Sequence, residues 1–322
     1  MFQSETFFLT QKPLSFITRV MAITITSFYS FRHIPKESVP TYLETLQRVG
    51  EQLNLQGLIL LSEEGFNLTV SGTESAIQDF KRLFTETWQY TDILFKDSYW
   101  HKHPFKRYKV QLRKEIVTIG DPEMPVPAQN NSHLSPEKFH QALQEEGVVV
   151  LDTRNTYETN LGKFKNAQEL DLKEFGEFPE KLQQASLPKD KKYLIYCTGG
   201  IRCEKAIEEM KKQGYESVYQ LEGGILNYLE AYPNELYEGE CFVFDHRVAL
   251  DQNLQPTTQC GLCPHCGQPG TIKIECLRCD YPGWVCAPCA EVEYNKTCSK
   301  NCAHHYKLRP KQKGPHQVTS QV

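Results

Sequence analysis

The sequence of 322 residues contains no stretch close to the roughly 18 consecutive apolar residues that a membrane-spanning helix requires. Its first 20 residues lack the basic n-region and the small-residue cleavage site of a secretory signal peptide. The net charge of −4 argues against a uniformly basic surface that binds nucleic acid non-specifically. These absences predict a cytoplasmic protein without a membrane anchor, in which cysteines act as metal ligands or reactive thiols rather than as a disulfide framework.

Cysteine is scarce over most of the chain, since only three of the twelve cysteines precede residue 260. Two cofactor signatures are also missing. The sequence has no glycine-rich dinucleotide fingerprint, and it has no facial triad of two histidines and a carboxylate at readable spacing. The sequence therefore gives no direct sign of nicotinamide chemistry or of a non-haem iron site.

The apolar patterns predict an α/β protein with three folded parts. Residues 22–120 follow the order β-α-β-β-α-β, which predicts an α+β ferredoxin-like, or acylphosphatase-like, domain. Residues 134–235 alternate apolar strands with helices, a pattern typical of a parallel sheet covered on both faces. Residues 236–305 predict a small metal-stabilised module, because such a segment has too few apolar residues for a core of its own. The other predicted segments are an N-terminal extension over 1–21, a proline-rich linker over 121–133 and a basic, disordered tail over 306–322.

The stretch YCTGGIRCEKA, residues 196–206, contains the main candidate for a reactive group. Cys197 follows an apolar strand and precedes a helix, so loop amides, the helix N-terminus and the cation of Arg202 favour its thiolate. Gly199 and Gly200 can adopt backbone conformations with a positive φ that a side chain would block. The C-x4-R loop is smaller than the C-x5-R loop of phosphatases. A loop of this size suits a sulfur atom carried on the cysteine better than it suits a phosphoryl group. A buried structural cysteine at a strand end is the alternative.

Three further residues belong to the predicted site. Asp152 and Arg154 stand at the end of another apolar strand, and active residues of parallel sheets gather at such ends. Cys203 opens the next helix. It is either a small residue that packs the first turn or a second thiol that resolves an oxidised Cys197 by disulfide exchange.

The C-terminal cysteines form four close pairs, which predict two closed zinc sites. A C-x2-C turn supplies two thiolates, and zinc prefers four tetrahedral ligands. Neighbouring pairs could share a site, or the first and third pairs could cross with the second and fourth. Cys260 is a spare, His265, His304 and His305 could each replace a cysteine, and an iron–sulfur cluster is an alternative. The predicted ligands are Cys263, Cys266, Cys276, Cys279, Cys286, Cys289, Cys298 and Cys302.

The stretch HKHPFKRYKVQLRK, residues 101–114, holds six lysines and arginines and no acid. Its cations could contact phosphates, and its aromatic rings could stack on bases. A solvated edge strand is the alternative. The predicted RNA-binding residues are Lys102, Phe105, Lys106, Arg107, Tyr108, Lys109 and Arg113.

Residues 134–235 resemble a rhodanese domain through LDTRNTYETNLGKFKNAQELD and LEGGILNY, although GKFKNA lacks the histidine of many rhodaneses. Together with SEEGFNLTVSG, the string YCTGGIRCEK resembles the rhodanese-like tRNA uridine hydroxylases (the TrhO type) over roughly residues 22–305. The resemblance implies hydroxylation of carbon 5 of the wobble uridine of tRNA with molecular oxygen. In rhodaneses the cysteine that matches Cys197 carries a persulfide.

The leading hypothesis is therefore a three-part tRNA-modifying oxidoreductase in which Cys197 meets the uridine. The alternative is a rhodanese-type sulfurtransferase that passes persulfide sulfur from Cys197 to an acceptor. A zinc-dependent binding protein with a rhodanese-like scaffold is a third, non-enzymatic interpretation.

Overall fold

A computed structural model describes residues 22–125 and 132–308. The predicted extension over 1–21 lies outside the described residues, as do residues 126–131 of the predicted linker and residues 309–322 of the predicted tail. None of the helices within the two described ranges has the length and apolar character needed to cross a bilayer.

The first domain is a five-stranded sheet packed against two helices. Its elements are β1 (Ile23–Phe31), α1 (Val39–Gln52), β2 (Gln56–Ser62), β3 (Gly65–Gly72), α2 (Glu74–Arg82), a π-helical turn (Leu83–Thr87), β4 (Lys96–Trp100) and β5 (Tyr108–Leu112). The order β4-β1-β3-β2 is that of the predicted β-α-β-β-α-β fold. Strand β5 extends the sheet by pairing in parallel with β2.

The sequence determines helix α2 through its ends and its apolar face. The hydroxyl of Thr73 accepts from the amide of Ala76 at 3.2 Å, which caps the N-terminus. The buried face includes Phe80, which meets the ring of Phe84 edge-to-face with ring centroids 5.3 Å apart. This helix therefore closes the aromatic core on one face of the sheet.

The second domain contains a parallel sheet, as predicted, and its strand order is β6-β10-β9-β7. Its strands are β6 (His133–Leu134), β7 (Val149–Asp152), β8 (Gly162–Phe164), β9 (Tyr193–Tyr196) and β10 (Val218–Leu221). Its helices are α3 (Pro136–Ala142), α4 (Thr156–Thr159), α5 (Phe178–Ala185), α6 (Ile201–Lys212) and α7 (Gly224–Ala231), with a 3-10 turn at Phe175–Glu177. Strand β9 is buried along its whole length and ends directly at Cys197.

The C-terminal part consists of short two-stranded sheets and short helices. Strand β11 (Tyr237–Gly239) pairs with β8 of the preceding domain. The other elements are β12 (Cys241–Phe242), β13 (Ala249–Leu250), β14 (Gly261–Leu262), β15 (Pro269–Gly270), β16 (Ile272–Glu275), β17 (Pro282–Val285), α8 (Ala287–Ala290), a 3-10 turn (Glu293–Asn295) and α9 (Lys300–Leu308). With this cysteine-rich part in place, the predicted α/β fold class is confirmed.

The first domain docks onto the end of the parallel sheet where Cys197 lies. The ammonium group of Lys205, in helix α6, forms buried ion pairs with Glu64 at 2.8 Å and with Glu115 at 2.7 Å. The hydroxyl of Tyr29, in strand β1, donates to the carboxylate of Glu204 at 2.7 Å. These buried contacts join the two domains and set their relative position.

Candidate active site and metal centres

Cys197 lies in a loop that is held from two sides. Its sulfur is fully buried and accepts a hydrogen bond from the amide of Gly200 at 3.1 Å. Its carbonyl accepts from the amide of Ile225 at 3.0 Å, and the carbonyl of Thr198 accepts from the amide of Leu226 at 3.2 Å. The N-terminus of α7 therefore fixes the loop backbone, and the loop directs an amide at the sulfur.

Two close approaches require glycine around this loop. Gly200 has φ +100°, and a Cβ there would lie 2.9 Å from the hydroxyl oxygen of Tyr29. Gly224 has φ +70°, and a Cβ there would lie 2.5 Å from the carbonyl oxygen of Cys197. Of the two loop glycines, which can both adopt a positive φ, only Gly200 lies in the left-handed region.

The loop favours the thiolate of Cys197. Burial opposes ionisation, but the hydrogen bond from Cys203, the charge of Arg202 and the loop amides outweigh burial and lower the pKa of Cys197 to about 6. Burial and the neighbouring Cys197 raise the pKa of Cys203 well above its ordinary value. The hydroxyl of Thr153 lies 3.7 Å from the sulfur of Cys203. The two thiols are thus in contact, with Cys197 the one that ionises.

Arg202 pairs with the carboxylate of Glu158, a residue that was not among the predicted site residues. Its guanidinium forms a bidentate ion pair with Glu158, with N–O distances of 2.5 Å and 2.8 Å. Both side chains are buried. An arginine in an apolar loop calls for an anion, but the sequence alone does not show which carboxylate supplies it. Much of the arginine charge is therefore directed at Glu158 rather than at Cys197.

Asp152 and Arg154 form a buried clamp beside the loop. The guanidinium of Arg154 donates to both oxygens of Asp152, at 2.9 Å and 2.7 Å, and to the carbonyl of Gly162 at 2.6 Å. These contacts tie the end of β7 to strand β8. The pair therefore stabilises the backbone at the end of β7, and its predicted supporting role in the site stays a prediction.

Several residues from distant parts of the chain complete the surroundings of the loop. The ammonium of Lys96 lies 5.3 Å from the centre of the Tyr29 ring, and the lysine side chain rests on Gly199. Phe244 is 62% exposed although its neighbours are buried, and its ring centre lies 5.6 Å from the guanidinium carbon of Arg202. No local motif marks these residues, because the contacts join separate domains.

The basic stretch lies at the β5 edge of the first domain. The cations Lys102, Lys106, Arg107, Lys109 and Arg113 are exposed, and Phe105 is partly buried. Tyr108 does not present its ring for stacking as expected. Its hydroxyl donates to the carbonyl of Leu46 at 2.7 Å, and its ring packs so closely on Gly50 that a Cβ there would clash.

The eight C-terminal cysteines form two groups with crossed pairing. The first and third pairs meet, and so do the second and fourth, with all sulfur atoms of a group within 4.8 Å of one another. The groups are Cys263, Cys266, Cys286 and Cys289, and Cys276, Cys279, Cys298 and Cys302. This arrangement resolves the alternative that the sequence left open.

The spacing of the sulfur atoms fits a tetrahedral metal site. Two thiolates that bind one zinc ion at about 2.3 Å lie roughly 3.8 Å apart. Cys279 lies 3.6 Å from Cys298 and 3.8 Å from Cys302. His265 instead contacts the carbonyl of Thr297 at 3.0 Å. Cys260 packs in a separate cluster, and neither it nor the histidines of this segment belong to the two groups. Both groups can therefore hold a metal ion with cysteine ligands alone.

Three family models match the chain and together span most of it. The UPF0176 acylphosphatase like domain matches residues 23–116, the rhodanese-like domain matches residues 135–231, and the rhodanase C-terminal matches residues 238–303. The cysteine loop thus lies in the rhodanese-like part, and the two metal groups lie in the third part.

Named relatives match along most of their own length. A tRNA uridine(34) hydroxylase of Bdellovibrio bacteriovorus is 49% identical over 297 residues, which covers 91% of this chain and 84% of that protein. A protein of the same name from Legionella pneumophila (strain Paris) is 44% identical and covers 72% of this chain and 92% of its own length. Another from Synechocystis is 39% identical, with coverages of 77% and 90%.

Proposed function

The chain belongs to the tRNA uridine(34) hydroxylase family, and from this premise we propose that it hydroxylates carbon 5 of the wobble uridine of tRNA. Molecular oxygen is the co-substrate, and Cys197 is the reactive thiol. The observation that carries the proposal is the 49% identity over 91% of the chain, which includes the Cys197 loop because the unmatched ends are too short to reach it. The relatives' names do not favour the sulfurtransferase alternative.

Cys197 would act on the base as a thiolate. Its low pKa means that most of the protein carries the anion at neutral pH. Addition of a thiolate to carbon 6 of uracil raises the electron density at carbon 5, where the hydroxyl is introduced. The amide of Gly200 and the cation of Arg202 hold the anion in place until the base arrives.

Cys203 would supply the second thiol that the electron balance requires. Insertion of one atom of O2 into the base, with release of the other as water, consumes two electrons and two protons. Oxidation of Cys197 and Cys203 to a disulfide releases two electrons and two protons, and the thiols already contact each other. An external thiol would then reduce the disulfide by exchange.

The substrate base would approach at the exposed side of the loop. Gly199 is the partly exposed point of the loop, and Phe244 presents an exposed ring beside Arg202. An aromatic ring at such a place can stack on an unpaired base, as wobble bases in anticodon loops are. The exposed cations of residues 101–114 would hold the phosphates. The main chain links the two surfaces, because the amide of His246 donates to the carbonyl of Pro104 at 2.9 Å.

Two zinc ions would hold the C-terminal module together. Zinc prefers four thiolates in a tetrahedron, and each cysteine group provides four. When bound, such an ion supplies folding free energy to a segment with little apolar core. As tRNA is the substrate, the cytoplasm is the compartment in which the enzyme would act.

Nucleoside mass spectrometry tests the proposal. A strain that lacks the gene is complemented with wild type, Cys197→Ser or Cys203→Ser, and position 34 of its tRNA is analysed. Wild type should restore the hydroxylated wobble uridine, Cys197→Ser should not, and Cys203→Ser should restore little. Wobble uridines that do not change on deletion would refute the hydroxylase function.

A further inference from the structure

A lysine of the first domain lies against the Cys197 loop. Lys96 is the first residue of strand β4, and its side chain is partly buried. Its Cε atom lies 3.6 Å from the position that a Cβ would take on Gly199. Its ammonium group lies over the ring of Tyr29, whose hydroxyl in turn comes close to Gly200. Two residues from β1 and β4 therefore cover both loop glycines.

Among the described residues, no carboxylate oxygen forms an ion pair with the ammonium group of Lys96 at 4.0 Å or less. The charges of Cys197 and Glu204 both favour the protonated form of Lys96, and Cys197 has the larger effect. One oxygen of Glu204 already accepts three hydrogen bonds, at 2.7 Å to 2.9 Å, from Tyr29, His133 and Gln220. The remaining anion that acts on Lys96 is the thiolate of Cys197.

The cation of Arg202 does not make Lys96 redundant. The charge of Arg202 favours the thiolate, but its bidentate pair with Glu158 gives these two buried side chains a net charge of zero. A thiolate at Cys197 would therefore add an uncompensated negative charge to a buried site, which is costly. An ammonium group beside the loop offsets part of that charge, although the carboxylate of Glu204 also acts on it.

We propose that Lys96 is a positioning residue for the reaction, whose ammonium group pairs with the thiolate of Cys197 across the domain interface. The proposal rests on the proposed role of Cys197 as the reactive thiol. The site is then complete only when the first domain is docked, because the rhodanese-like domain alone lacks the ammonium group of Lys96.

The ion pair between Lys96 and Cys197 would form only within a limited range of pH. Burial lowers the pKa of Lys96 to about 8, against the charges of Cys197 and Glu204, which raise it. The pKa of Cys197 is about 6. Both partners are therefore charged between about pH 6 and pH 8. The other titratable and charged groups that face this pair are Tyr29 on β1, His133 on β6, Glu158 on α4 and Arg202, Cys203 and Glu204 on α6.

Thiolate absorbance at 240 nm measures the pairing without any need for a reagent to reach the buried sulfur. Each variant is compared with the same variant that also carries Cys197→Ser. The difference removes the absorbance of the metal-bound thiolates and leaves that of Cys197. In the full-length, metal-loaded protein, Lys96→Met should raise the thiol pKa by about one unit. This change means about tenfold less thiolate at pH 5. Lys96→Arg should leave the thiol near its wild-type value.

Wobble hydroxylation across pH 5 to 10 provides a second readout. Wild type should show a maximum between the two pKa values, and Lys96→Arg should lose the alkaline decline because a guanidinium stays protonated. Lys211→Met, on the exposed end of α6, is the matched control and should follow wild type. Far-UV circular dichroism and metal content show whether each variant is folded. If Lys96→Met does not fold, the Lys96→Arg profile decides.

The proposal is wrong if the folded Lys96→Met variant titrates like wild type at 240 nm, or if Lys96→Arg keeps the alkaline decline. Its failure differs from failure of the proposed function. Retention of full hydroxylation by Cys197→Ser would refute the function of the thiol, whereas the absorbance titration would still show whether Lys96 and Cys197 pair.

Discussion

The Cys197 loop and the C-terminal module use the same side chain in opposite surroundings. Cys197 is fully buried at the end of a parallel strand, where an amide, a cation and one further thiol face its sulfur. Each C-terminal sulfur instead faces three other sulfurs, in short sheets with little apolar core. The first environment favours the thiolate of a single cysteine, and the second brings four sulfur atoms close enough to hold a metal ion. Neighbouring groups, rather than the cysteine itself, separate a reactive thiol from a structural ligand.

Breaking the crossed pairing should have the largest effect on the molecule. The double variant Cys263→Ser, Cys286→Ser removes two ligands from one group, so metal analysis should find about one ion per chain instead of about two. The double variant Cys263→Ser, Cys276→Ser damages both groups and should retain almost none. Hydrogen exchange should show residues 272–302 unprotected in the second variant, because metal binding supplies their folding free energy.

Equal metal loss in these two double variants would contradict the crossed arrangement. The rhodanese-like core provides the internal control, since strand β9 has its own buried apolar contacts and should stay protected from exchange in both variants.

The buried ion pair beside the loop should show the next largest effect. Glu158→Gln leaves the charge of Arg202 buried without its partner and should lower the free energy of unfolding by about 3 kcal/mol. The matched control is Glu145→Gln, whose exposed pair with Lys192 should contribute less than about 1 kcal/mol. Urea denaturation of both variants measures the difference. Equal losses of unfolding free energy in the two variants would mean that the Glu158–Arg202 pair contributes no more than an exposed ion pair does.

The stability of the folded protein should depend on pH through Cys197. Its pKa is lowered to about 6 from an ordinary 9.0, so the folded state holds a thiolate where the unfolded chain still binds a proton. This stabilisation is fully present above pH 9 and is lost as the pH falls through 6. The slope between these values is up to about 1.4 kcal/mol per pH unit.

Unfolding of wild type and Cys197→Ser at pH 5.5 and pH 8.5 isolates this contribution from the other titrating groups. The difference between the two proteins should grow with pH. A difference that stays constant would show that Cys197 does not ionise in the folded state.

The basic stretch should show the smallest effects. Arg107→Ala and Lys109→Ala should each weaken tRNA binding several-fold and reduce the salt dependence by about one phosphate contact. Lys211→Ala serves as the control outside this stretch. An unchanged salt slope in both variants would place the tRNA on another surface.

The sequence predicted those parts of the molecule that depend on local patterns. Apolar periodicity identified the two sheet domains, and the four close cysteine pairs, three with C-x2-C spacing and one with C-x3-C spacing, identified the eight cysteines of the two groups. The strand–loop–helix context placed Cys197 at the end of β9 with Arg202 beside it. Each of these features is set by residues close together in the chain.

The parts that could not be predicted depend on contacts between distant residues. Glu158 lies 44 positions from Arg202, and Lys96 belongs to another domain. Tyr108 was expected to stack on bases, but its place on the sheet turns its ring onto helix α1. The pairing of the cysteines also depends on the fold, because the spacing within one cysteine pair does not show which other pair lies beside it.

Isotopic labelling with 18O2 tests most directly whether the Cys197 loop is where oxygen enters the wobble uridine. Purified, metal-loaded protein is incubated with unmodified tRNA and a thiol reductant, and the mass of the nucleoside at position 34 is measured. Wild type should produce hydroxyuridine that carries the label, and Cys197→Ser should produce at least about 100-fold less. Labelled product at the wild-type level from Cys197→Ser, or unlabelled product from wild type, would contradict the account.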